Sequence, residues 1–171
     1  MSMNPEILLQ NFTNIATGFT AIIALLMIWK QLKYQNQQLK YHSLSELHKD
    51  IIGPRMHDAF QFIYANTSSD LAVPKNEKEL EKIELILNTY DLIAVKLAQG
   101  FLPEKETLET EWIVILRIWE KLNEFIKKER ELRGNVFYKK HFELLVEKAL
   151  DYQKNNYPHS NIVIFKRKYK S

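Results

Sequence analysis

Two hydrophobic rhythms divide this chain. From Ile7 to Trp29 no residue carries a charge, and the stretch Ala21 to Trp29 is apolar without interruption. A helix of those 23 residues would be about 34 Å long, enough to cross the hydrocarbon core of a bilayer. Its first half is less apolar, interrupted by Gln10, Asn11, Thr13, Asn14, Thr17 and Thr20. Lys30 and Lys33 follow the run rather than precede it, which is the reverse of a cleaved leader. Basic residues mark the cytoplasmic side, so the pattern predicts a single-pass anchor with its N-terminus outside and everything from Lys30 inside.

No glycine or proline falls between residues 19 and 52, so the same helix is expected to continue as a stalk to Gly53-Pro54. A seven-residue spacing runs through it. Asn11, Gly18, Leu25, Leu32 and Leu39 lie on one line, beside Asn14, Ala21, Ile28, Gln35 and His42, with Gln10, Thr17, Ala24, Gln31 and Gln38 alongside. Small and polar residues collect where helices meet in a membrane. The stripe Gln10, Asn11, Asn14, Thr17, Gly18, Ala21 and Leu25 therefore predicts a seam between identical anchors. That seam is either hydrogen-bonded glue or, in an assembly that opens, a polar lining.

Beyond Pro54 the rhythm becomes helical and amphipathic. A short helix to about Asn66 carries Phe60 and Ile63, and residues 67 to 74 read as a loop. Asn76 with Glu79 opens the next helix, in which Leu80, Ile83, Leu87, Tyr90, Ala94 and Leu97 recur at three and four until Gly100. Pro103 starts another, with Leu108, Trp112, Ile115, Trp119, Leu122 and Ile126 in register, ending at Gly134. Ile113, Val114, Leu116 and Ile118 make its middle apolar all round, which predicts a central helix. A last helix is expected from about Asn135 to Asn156, followed by an extended tail. The fold class is all-α: a transmembrane helix continuing into a stalk, then a small cytoplasmic helical bundle. The expected boundaries are 1–29 anchor, 30–53 stalk, 54–157 bundle and 158–171 basic tail.

Composition narrows the chemistry. The chain has no cysteine, which removes disulfides, thiolate metal sites and thiol nucleophiles. Four of the 24 basic residues, Lys166, Arg167, Lys168 and Lys170, sit in the tail, so the body is neutral overall and argues against a nucleic-acid-binding domain. The tail alternates cations with Phe165 and Tyr169, a pattern suited to an anionic membrane surface, to plain solvation or to RNA.

The residues Tyr90-Asp91-Leu92-Ile93-Ala94, Leu97, Gly100, Leu102, Trp112, Arg117, Trp119 and Leu122, then Arg130, Arg133, Tyr138 and Phe142, form a pattern. It resembles a bacterial family of unknown function with one N-terminal transmembrane helix and a small all-helical cytoplasmic domain. The resemblance implies that architecture and a place in the bacterial inner membrane. It implies no catalytic residue.

Arg117 is charged within the apolar run Ile113 to Trp119. A buried guanidinium needs a counter-charge, and Asp91 is the expected partner; the other reading has Arg117 lining an anion site. Arg130, Arg133, Lys139 and Lys140 cluster near the end of the same helix and are candidates for that site, or simply for favourable interaction with the helix C-terminus. The five histidines show no metal-ligand spacing, and no phosphate loop, dinucleotide fingerprint or nucleophile elbow is present. The chain therefore reads as no enzyme, with no cofactor and no metal. Expected partners are membrane lipid, further copies of the chain, and a protein or an anionic small molecule bound by the helical domain. The alternative is a membrane-perturbing effector of the antiviral-defence kind, gated by an anionic or nucleotide signal.

Overall fold

A computed structural model describes residues 5–158, without the side chains at positions 5–9, 11–13 and 15. The expected extended tail, with Lys166, Arg167, Lys168 and Lys170, lies outside the described residues. Those residues form six helices and no strand: α1 (Pro5–Ile52), α2 (Pro54–Ala65), α3 (Ser68–Leu71), α4 (Glu77–Ala98), α5 (Glu104–Arg133) and α6 (Lys140–Asn156). The all-helical class holds. The chain divides into two compact units, residues 1–40 and 41–171.

The first unit is the greater part of α1. Phe19, Ile22, Ile23, Leu25, Leu26, Met27, Ile28 and Trp29 are each at least 53% exposed. Gln10, Asn14, Thr17, Gly18 and Ala21, from the expected seam, are exposed as well, while the side chain of Asn11 lies outside the described set. Among the described residues no helix is long and apolar enough to cross a membrane. The transmembrane segment expected here thus has no support from hydropathy among them. Polar Gln10, Asn14, Thr17 and Thr20 dilute the first half of the run, and Lys30 and Lys33 close it.

The second unit is the bundle, and it takes the last turns of α1 with it. Leu44 and Leu47 are buried in the same core as the other helices, so residues 41–52 are not a free stalk. Pro54 occupies the first turn of α2, where its missing N–H costs nothing. α6 packs against both α4 and α5, while α2 lies on α4 and α3 on α5. The core is built from Ile83, Ile86, Leu87, Tyr90 and Ile93 of α4, Ile115, Ile118, Leu122 and Phe125 of α5, and Phe142, Leu145 and Ala149 of α6.

Three local features depart from the pattern. The expected loop contains α3, where the Thr67 hydroxyl accepts from the Asp70 N–H and the Asp70 carboxylate accepts from the Thr67 N–H. That capping box turns Leu71 into the core. α5 is not apolar all round. Thr110, Arg117, Glu120, Glu124, Lys127 and Glu131 form a solvent-exposed strip along it. α6 begins five residues later than expected, because Lys139 adopts a left-handed φ of 55°.

Candidate functional site

The late start of α6 is explained by α4. Asp91 Oδ1 accepts from the Phe142 N–H at 2.8 Å, doing from 51 residues away what a local N-cap side chain would do. Its negative charge also lies at the favourable end of the α6 dipole. Asp91 is therefore not the partner of Arg117, and Arg117 is not buried. It projects from the exposed strip of α5, where its charge is felt by Tyr64. A guanidinium in water needs no buried carboxylate, so the expected Arg117–Asp91 register pair does not form.

The other four candidates do converge, at the junction of α4, α5 and α6. Arg130 donates to the Tyr138 carbonyl at 3.0 Å and pairs with Glu143 at 3.2 Å. Arg133 pairs with Glu129 at 2.6 Å and with Glu84 at 3.0 Å. Its guanidinium lies 4.4 Å from the centre of the Tyr138 ring. Lys139, whose side chain is only 7% exposed, donates to Asn88 and lies 3.6 Å from Glu84. Lys140 pairs with Glu143 at 2.9 Å. Tyr138 donates its hydroxyl to Glu84 at 2.8 Å.

Each of the four cations thus has a carboxylate within 3.6 Å. The charges shift accordingly. Burial pushes the Glu143 carboxyl up, but hydrogen bonds from Lys140 and Arg130 and the Arg130 charge outweigh it and hold the group below its ordinary value. The Tyr138 hydroxyl is pushed well up, first by burial and then by its bond to the Glu84 carboxylate. This is a clamp of four cations and three carboxylates joining three helices. An anion entering it would have to displace carboxylates already bonded to each cation.

A second polar group lies deeper, and the sequence pattern did not single it out. Glu111, 7% exposed, accepts from the Tyr90 hydroxyl at 3.0 Å, and His48 Nε2 stands 3.7 Å from its other oxygen. Tyr90 is fully buried against Phe60 and Phe142. Burial, then the Glu111 charge, pushes its hydroxyl far above the usual tyrosine range. The group ties α1, α4 and α5 together around one carboxylate. A heptad count would have found Glu111: it lies one turn before Ile115 and two before Ile118, on the core face of α5.

Among the described residues no group of three or more His, Cys, Asp or Glu is placed to hold a metal ion. No curated protein and no solved structure matches the chain. The model of a domain of unknown function, DUF4760, matches residues 14–149, most of α1 and nearly all of the bundle, and the chain belongs to that family.

Proposed function

We propose that this protein is anchored once in the bacterial inner membrane by residues 7–29, N-terminus outside, and that copies associate along α1 while the helical domain binds a protein or ligand in the cytoplasm. One observation carries the reading. Eight large apolar side chains between Phe19 and Trp29 have no cover from the described residues of their own chain and are 53–67% exposed. Removing such side chains from water is worth about 1.5–3 kcal/mol each. Together that is on the order of 10–20 kcal/mol, as large as the whole stability of a typical domain. A surface of that kind needs lipid or another apolar partner.

The polar residues that lower the hydropathy of the run fit this reading. Gln10, Asn14 and Thr17 share a stripe with Leu25, Ile28, Leu32 and Leu39, the last four each more than half exposed. In hydrocarbon such polar groups find partners on a neighbouring helix. Association along the stripe therefore removes them from lipid and covers the leucines in the same step.

The absence of cysteine makes a direct test available. Membranes from cells expressing the full chain are washed with alkaline carbonate, and single-cysteine variants are oxidised in situ. The protein stays with the membrane, Leu32→Cys and Leu39→Cys cross-link to dimers, and Lys33→Cys, off the stripe, does not. Release by carbonate overturns the anchor. Equal cross-linking at positions 32 and 33 overturns the seam.

A further inference from the structure

Lys30 and Lys33 differ from the cations of the clamp. From Ile7 to Ser45 the chain contains no Asp or Glu, so no carboxylate lies within a helical turn of either lysine. Among the described residues their contacts are with rings. The Lys33 ammonium lies 5.8 Å from the centre of the Trp29 ring, and that of Lys30 lies 6.0 Å from Tyr34. Arg130, Arg133, Lys139 and Lys140 each have a carboxylate within 3.6 Å, whereas these two have none among the described residues.

Their arrangement also has a shape. Leu26, Trp29, Lys30, Lys33, Tyr34 and Gln37 recur at three and four, so they make one face of α1, and a groove of about 540 Å³ runs along it. The groove is apolar at Leu26 and Trp29, cationic at Lys30 and Lys33, and hydrogen-bonding at Tyr34 and Gln37. Leu25, Ile28, Leu32 and Leu39 lie on the opposite side of the helix, so occupation of one face leaves the other free.

We propose that this face binds the headgroup of an anionic phospholipid. The phosphate sits between the two ammonium groups, the acyl chains lie against Leu26 and Trp29, and Tyr34 and Gln37 donate to the headgroup oxygens. The inference rests on the membrane anchor proposed above, and it adds the class of lipid and the residues that choose it. Unscreened lysines near an anionic surface gain attraction that weakens with salt, and aromatic rings suit the interface at headgroup depth. A nearby carboxylate would cancel that gain, and this segment has none.

The test uses the full chain reconstituted in phosphatidylcholine vesicles containing spin-labelled phosphatidylglycerol or spin-labelled phosphatidylcholine. The fraction of each label immobilised by the protein is read by electron paramagnetic resonance. The wild type prefers phosphatidylglycerol about fivefold at low salt. The preference falls toward one in the K30Q/K33Q variant and in high salt, while K127Q/K128Q, altered in α5, keeps it. Equal association in the wild type, or a preference that survives in K30Q/K33Q, overturns the proposal. Displacement of the labelled lipid by inorganic phosphate at constant ionic strength overturns the lipid assignment in favour of a free anion. A chain that enters neither kind of vesicle overturns the anchor and this site together.

Discussion

Replacing Glu84 by Gln separates a clamp from a binding site. Glu84 accepts from the Tyr138 hydroxyl at 2.8 Å and from Arg133 at 3.0 Å, and stands 3.6 Å from the Lys139 ammonium. In Glu84→Gln the shape is kept and the charge is lost. Arg133 keeps Glu129, and the amide oxygen still accepts from Tyr138. Lys139 is the group that suffers, since its side chain is 7% exposed and only the neutral Asn88 amide and the Tyr138 ring, 5.1 Å away, remain to it. Stranding one member of a buried pair costs about 3–5 kcal/mol. Glu84 is itself 23% exposed, so water enters and the cost falls to about 2 kcal/mol. In urea unfolding of the full chain in detergent, followed by the fluorescence of buried Trp112, the midpoint drops by about 1 M at unchanged slope. The double variant Glu84→Gln/Lys139→Met recovers at least half, because the stranded ammonium is gone. If Glu84→Gln changes stability by less than about 0.5 kcal/mol, or if phosphate at fixed ionic strength raises the wild-type midpoint, the cluster holds anions and the clamp reasoning is refuted.

Three further outcomes follow from the same geometry. Arg117→Ala leaves thermal stability within about 0.5 kcal/mol of wild type, as for other exposed positions; loss of the fold would restore a buried pairing for that residue. Gly134→Ala costs about 1–2 kcal/mol in urea unfolding, because Gly134 has φ 59° while the space around it is open, so the penalty is purely backbone. Stability also declines in alkali. Tyr90 and Tyr138 hold their protons more tightly folded than unfolded, so their contribution is complete below the ordinary tyrosine value of 10.0 and is lost as the pH rises above it. Urea midpoints at pH 8 and 11 measure the decline. Tyr90→Phe flattens it, and at neutral pH it costs about 1–3 kcal/mol by leaving the Glu111 carboxylate short of a donor.

What the sequence made legible was chemistry confined to a turn or two. Asn76 accepts from the Glu79 N–H at 3.0 Å and starts α4, although the Glu79 side chain bonds the Lys75 N–H instead of closing the box. Gly100 and Gly134 take the left-handed conformation and end their helices. What stayed hidden was anything resting on a partner far along the chain. The start of α6 depends on a carboxylate 51 residues earlier, and Lys139 finds Asn88 across the same gap. No local spacing carries that information.

Arg117 is the instructive case, because its surroundings were legible and were read with the wrong ruler. Over seven residues, Ile113 to Trp119 looks like an apolar cylinder with one charge trapped inside. Any seven residues of a helix span nearly two full turns, so they sample every direction, including the one that faces water. Read by angle, Arg117 falls in line with Thr110, Glu124 and Glu131, seven residues apart, all polar and all exposed. Glu111 sits in the neighbouring line with Ile115, Ile118 and Leu122, and it is the buried charge of α5. A run of hydrophobic neighbours therefore says that a helix is packed. Only the angle says which of its charged residues must find a partner, and here that requirement falls on Glu111, met by Tyr90, and not on Arg117.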